Sequence, residues 1–190
     1  AWKYCEARNM PRLIYIAKTD EENADYNAAV AAIRERFGNK VVPTAVPALD
    51  GGKASCVVDL LSGKAYEGKA GEVAECAVPA SVADDVEAAK AELMEAAAGA
   101  DEELMEKYLC DEELTIEELK GAIRRATINN EIVPVVCGTA FRNVGVQLLL
   151  DSIIDYLPSP PDVAHVKGTN SKGEEEERKT SDDEPFSGLA

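Results

Sequence analysis

Histidine occurs once in this 190-residue chain, and the five cysteines form no C-x-x-C pair, so the spacings present cannot assemble a metal cluster. An odd number of scattered cysteines also fits reduced thiols better than a disulfide framework. Basic residues are scarce: 20 Lys and Arg stand against 36 Asp and Glu, for a net charge of −16 at pH 7. Phosphate contacts need clustered cations, so direct binding of nucleic acid by this chain is not expected. There is no signal peptide and no apolar run of about 18 residues, so neither export nor a membrane span is expected, and a cytoplasmic location is. Nowhere does G-x-x-x-x-G-K-[ST] occur, the loop whose backbone N–H groups cradle phosphates.

What the chain does have is two short loops, each placed after an apolar run. Ala17-Lys18-Thr19-Asp20 follows Leu13-Ile14-Tyr15-Ile16, and Gly138-Thr139-Ala140-Phe141 follows Ile132-Val133-Pro134-Val135-Val136-Cys137. In an open α/β sheet ligands sit beyond the carboxyl ends of the strands, so two loops distant in sequence can meet over one ligand. Between them, Tyr26, Ala29, Val30, Ile33 and Phe37 recur at helical spacing, and Gly38-Asn39 stops that helix. From Val41 the texture changes. Val41 to Pro47, Ala54 to Leu60 and Gly63 to Tyr66 are short β-type runs separated by Asp50-Gly51-Gly52 and Ser62-Gly63, which predicts a small antiparallel sheet.

A long helix is expected next, capped by Ser81, with Val82, Val86, Ala89, Leu93, Ala96, Ala100, Leu104 and Tyr108 on its apolar stripe and Gly99 as a bend or break. Thr115 and Glu118 have the spacing of a capping box for a helix whose Ile116, Leu119, Ile123 and Ala126 face the core. After the strand from Ile132 to Cys137, a last helix is expected to turn Val146, Leu149, Leu150, Ile153, Ile154 and Leu157 inward until Pro158-Ser159-Pro160-Pro161 ends it. Lys167 to Asp183 is polar and reads as an exposed linker or loose hairpin. From Ser81 to Lys120 there are 14 acids and three lysines, which carry 11 of the 16 net negative charges; such a run is ordinarily a solvated helix face.

Many segments match one family in order. Ala1-Trp2-Lys3-Tyr4-Cys5-Glu6, Met10-Pro11-Arg12-Leu13-Ile14-Tyr15-Ile16, Glu102 to Leu109, Asn129-Asn130-Glu131-Ile132, Gly145-Val146-Gln147, Ile154-Asp155-Tyr156-Leu157-Pro158-Ser159-Pro160 and Ser181-Asp182-Asp183-Glu184-Pro185-Phe186-Ser187 all resemble elongation factor G, the translational GTPase of the ribosome. The resemblance implies an α/β fold: a partial P-loop-GTPase-like parallel sheet, its phosphate-loop half missing, with an inserted α+β subdomain. The implied division is 1–40 and 130–166 for parts of the GTP-binding domain, 41–129 for the insert, and 167–190 for a linker and the start of a β-barrel domain. It further implies a fragment of a longer GTPase that binds GTP or GDP with Mg²⁺, the fragment itself being expected to hold no nucleotide and carry no catalysis.

Site roles follow from the same resemblance. Asp20 is the carboxylate that accepts the two neighbouring donors of a guanine edge, a pair adenine does not present. Lys18 lays its aliphatic stem along the base, and Thr139 and Ala140, where the family has Ser-Ala, offer backbone N–H groups to the exocyclic oxygen. Phe141 is expected to pack behind the loop. The departure is Ala17, where the family has an Asn that braces both loops. Catalytic residues lie in the family's phosphate loop and switch segments, so none is assigned here, and no metal ligand is assigned either. Implied partners are the ribosome and, through the acidic helix, its stalk protein. Alternatives are a ribosome-binding paralogue, of the protection type or a degenerate GTPase, and an insert acting chiefly as a protein-interaction module.

Overall fold

The computed structural model describes residues 1–50, 53–69, 72–110, 112, 114–162, 166–170, 173–178, 180–181 and 183. A short helix α1 (Trp2–Ala7) leads into strand β1 (Ile14–Ala17) and helix α2 (Tyr26–Phe37). Asp25 caps α2 by accepting from the N–H of Ala28 at 2.9 Å, and Gly38, at φ +90°, ends it as the Gly38-Asn39 pair predicts. Trp2 stacks on Phe37 with ring centroids 4.0 Å apart, which pins α1 to the far end of α2.

The run from Val41 to Pro47 is divided between two sheets. Val41–Pro43 (β2) joins a parallel sheet, and only Ala45–Asp50 (β3) enters the antiparallel one with Lys53–Asp59 (β4), Ala65–Lys69 (β5) and Glu72–Cys76 (β6). Thr44 is the point of exchange: its N–H donates to Val135 at 2.9 Å, while its carbonyl accepts from Leu60 at 3.1 Å. The parallel sheet has the order β1-β7-β2, with the central β7 (Val133–Gly138) buried at every position, as a strand covered on both faces must be. The antiparallel sheet runs β3-β4-β5-β6.

Helix α3 (Ala83–Gly99) follows a 3₁₀ turn at Ala80–Val82. Ser81 lies within that turn and makes no cap; Pro79 directs the chain into the turn, and α3 begins only after it. The single long helix expected here is two: α3 ends at Gly99, and Asp101 restarts the chain as α4 (Glu102–Leu109), accepting from the N–H groups of Glu103 and Leu104 at 3.1 and 3.2 Å. The capping box forms as expected at the start of α5 (Ile116–Ile128), with Thr115 and Glu118 bonded reciprocally.

The last helix, α6 (Val146–Tyr156), departs from the expected face. Ser152 and Tyr156 are its buried residues, whereas Leu150, Ile153 and Ile154 are exposed, Ile154 by 73%. Its carboxyl end is held by α5: Arg124 Nη1 donates to the carbonyl oxygens of Ile154, Asp155 and Leu157 at 3.0, 3.0 and 2.8 Å, and Lys120 pairs with Asp155 at 2.7 Å.

Two apolar clusters organise residues 1–157, which form one compact unit. Val58 of the antiparallel sheet and Leu60, just past the end of β4, meet Leu93 and Ala97 of α3, Ile123 of α5 and Tyr156 of α6 in the larger. Val57, one residue from Val58 and therefore on the opposite face, joins Tyr26, Val30, Val136 and Cys137 in the smaller. The antiparallel sheet thus contributes to both cores. Residues 158–190 form a separate unit, in which β8 (Val166–Thr169) and β9 (Glu175–Arg178) make the hairpin expected of the polar stretch, with Glu175, Glu176 and Glu177 exposed. His165 and the segment from Glu184 to Ser187 lie outside the described residues. Among the described residues no helix is long and apolar enough to cross a membrane.

Candidate functional site

Parallel pairing of β1 with β7 sets Ala17 beside Gly138, so both strands end level and their loops leave the sheet together. The N–H of Thr19 reaches the carbonyl of Gly138 at 3.5 Å, and Arg142 Nε reaches Asp20 Oδ2 at 3.1 Å. The two loops read from the sequence as partners are therefore in contact, at the carboxyl ends of parallel strands where open α/β sheets bind ligands. Gly138 is required there. A Cβ at that position would overlap the carbonyl oxygen of Val144 and stand 2.9 Å from Tyr15 Oη.

Lys18 takes a left-handed backbone conformation, φ +61°, with its side chain exposed. A non-glycine residue held there stores strain that the surrounding structure must impose, and such residues gather at ligand-binding turns. Thr19 is buried, and its hydroxyl finds no partner among the described residues, at a cost of about 1–3 kcal/mol. Tyr15 Oη is likewise buried without a partner among them, and burial, then the neighbouring Cys137, raise its pKa. Cys137 is fully buried and its thiol pKa is pushed up by desolvation, so it is a core residue, as are Cys56 and the other apolar groups around it.

The second loop is closed on itself. Thr139 N–H donates to Val144 at 2.9 Å and Val144 N–H returns the bond at 3.1 Å, while Asn143 N–H donates to Ala140 at 3.1 Å. The N–H of Thr139, expected to be offered to a ligand oxygen, is thus already occupied by the loop. Ala140 keeps an N–H with no hydrogen bond among the described residues. Phe141 does not pack behind the loop: it is 98% exposed, because the tight Thr139–Val144 bridge turns the residues between them outward.

The residues that sequence reasoning missed are Arg142, which pairs with Asp20, and Gly68 on β5. An isolated glycine inside a strand pattern is a sign of close backbone approach, and here a Cβ on Gly68 would overlap the carbonyl oxygen of Arg142. The spacing Gly63 to Gly68-Lys69 comes within one residue type of a phosphate loop, but Ala65–Lys69 is strand rather than a loop opening a helix. A cleft of about 510 Å³ beside the first loop is lined by Ile16, Lys18, Thr19, Asp25 and Tyr26 among others, without any residue of the second loop, so it is not the place where the loops converge.

Comparison with known proteins agrees with this fold. A crystal structure of a protein from Thermus thermophilus superposes with a TM-score of 0.78 at 34% sequence identity, over 86% of this chain. The matched stretch is 25% of that protein, so the chain spans about a quarter of its length. Residues 1–159 match the family model described as the elongation factor Tu GTP-binding domain. With both loops inside the matched range and the fold agreeing over most of the chain, the resemblance to translational GTPases is borne out: the chain belongs to the family of the elongation factor Tu GTP-binding domain.

Proposed function

We propose that this chain supplies the guanine-reading loops of a translational GTPase of the elongation factor G type, which promotes movement of tRNA and mRNA through the ribosome. The observation that carries the proposal is the position of Asp20, at the junction of the two loops, where Arg142 holds one carboxylate oxygen. A carboxylate offers about four acceptor sites, so one Arg contact leaves enough to receive both donors of a guanine edge. Adenine presents an acceptor in place of one of those donors and would leave a lone pair facing it. Ala140 N–H is available to the exocyclic oxygen, and the aliphatic stem of Lys18 would cover one face of the base.

The residues present fit the base of a guanine nucleotide: a carboxylate, an uncommitted N–H and a glycine turn that brings them close. The phosphates and Mg²⁺ are assigned to no residue of this chain, and the chemistry they would support, phosphoryl transfer to water, is derived from none of its side chains. The domain division proposed is 1–40 and 130–166 around an insert, modified at two places: Val41–Pro43 belongs to the parallel sheet, so the insert proper starts at Thr44, and residues from Pro158 on belong to the separate second unit.

A second reading is favoured by Ala17, whose methyl group cannot supply the amide bonds expected at that position. Weakened base binding would suit a ribosome-associated paralogue with slow turnover. The ribosome is the partner proposed under either reading, in the cytoplasm, with the exposed acids Glu87, Glu95, Glu102 and Glu106 steering a basic partner such as the stalk protein to α3 and α4. Competition between GDP and ADP in the full-length protein, before and after Asp20→Ala, tests the proposal.

A further inference from the structure

We propose that Gly68 and Arg142 are positioning residues for the base-reading carboxylate, so that strand β5 of the insert sets the geometry of guanine recognition. The inference rests on the assignment of Asp20 as the guanine acceptor, and adds to it the route by which that side chain is held.

The loop from Thr139 to Gly145 lies between two surfaces. On one side is the first loop, reached through Arg142 Nε and Asp20 Oδ2 at 3.1 Å. On the other is the antiparallel sheet. At Gly68 a Cβ would overlap the Arg142 carbonyl oxygen and come within 2.9 Å of Val144 Cγ2 and 3.1 Å of the Asn143 carbonyl carbon. The backbone of Arg142 and Asn143, with the side chain of Val144, therefore rests directly on the Cα of Gly68. Further along, Gly145, at φ +75°, would bring a Cβ to 3.2 Å from Val57 Cγ2 of β4. The loop cannot move toward the sheet, and the Thr139–Val144 bridge keeps it from opening.

Arg142 belongs to this supported backbone, while its guanidinium reaches the opposite side to pair with Asp20. An Asp side chain has two soft torsions, and an ion pair with the guanidinium of an arginine whose own backbone is held favours one carboxylate orientation while leaving acceptor sites free. The chain of contact is thus Gly68 Cα, Arg142 backbone, Arg142 guanidinium, Asp20 carboxylate. Its far end reads the base.

Inosine diphosphate tests the carboxylate alone, since it differs from GDP only by the exocyclic amino group that Asp20 would bind. In the full-length protein, Gly68→Ala and Arg142→Ala should each reduce the preference for GDP over inosine diphosphate by roughly threefold to tenfold, with the double variant no worse than the larger single effect because both act on one route. Arg142→Lys should recover part of the preference. Arg142 is 55% exposed, so its removal leaves the core intact, and it decides the matter alone if Gly68→Ala fails to fold. A preference unchanged in Arg142→Ala, or in a folded Gly68→Ala, while Asp20→Ala abolishes it, overturns the inference and leaves base reading by Asp20 standing. A preference unchanged by Asp20→Ala removes the base-reading assignment, and this inference with it.

Discussion

Arg34 on α2 and Glu92 on α3 form an ion pair between elements 58 residues apart in sequence. Arg34 also donates through Nε to the carbonyl of Val41 at 3.0 Å, so one guanidinium ties the second helix, the edge of the parallel sheet and the insert's first long helix together. Glu92 is therefore not an idle member of the acidic face.

Reversing its charge should cost stability where reversing its neighbours does not. Glu92→Lys places a cation against Arg34, and for a partly exposed pair the expected loss is roughly 0.5–1 kcal/mol after allowance for solvent screening. Glu95→Lys, on the exposed face of the same helix, should stay within about 0.5 kcal/mol of the parent. Urea unfolding of the two variants makes the comparison.

Arg124 should matter more than a surface arginine ordinarily does. It supplies donors to three carbonyl oxygens at the end of α6, which the helix itself cannot satisfy. Arg124→Ala should lower stability by about 1–3 kcal/mol and loosen the last turn of α6, seen as faster amide exchange at Tyr156 and Leu157.

Acid should weaken the α4–α5 region through two carboxylates. The Leu104 N–H, then Arg125, holds Asp101 below its usual range, and Lys107, then Thr115, lowers Glu118 to about 2. A folded-state pKa below the unfolded one gives stability that is present above the unfolded value and lost as pH falls through the folded one, here from about 4.5 toward 2 for Glu118. Between pH 7 and pH 3 the urea midpoint should fall further in the parent than in Asp101→Asn or Thr115→Ala, which lack part of this linkage already.

These elements also show which parts of the molecule could be seen in the sequence. Thr115 and Glu118 act over three residues, so their spacing announced the cap, and Gly38 ended α2 for an equally local reason. The two loops were legible because each follows an apolar run and carries polar residues. Helix α6 carries apolar residues over most of its surface, from Leu148 round to Ile154, with Gln147, Asp151 and Asp155 forming one polar stripe, so periodicity excludes one side without choosing among the rest; Ser152 and Tyr156 take the buried face. The allocation of Val41–Pro43 to the parallel sheet depends on Val133 to Val135, about 90 residues away, and nothing in the run itself records that pairing. Arg142 leaves no local sign in the sequence, because its partner, Asp20, lies on the other loop.

Ala17 offers a gain-of-function test. It ends β1 beside Gly138 with an exposed side chain, so an amide can be accommodated. Ala17→Asn in the full-length protein should tighten guanine nucleotide binding by about 1 kcal/mol, roughly fivefold, measured by titration with GDP.

The central claim is that Asp20 selects guanine. Competition of GDP and ADP for the full-length protein measures it directly: the parent should prefer GDP by at least about 100-fold, and Asp20→Ala should bring the two affinities to within a few-fold of one another. A preference for GDP that survives Asp20→Ala intact would contradict the assignment of this loop.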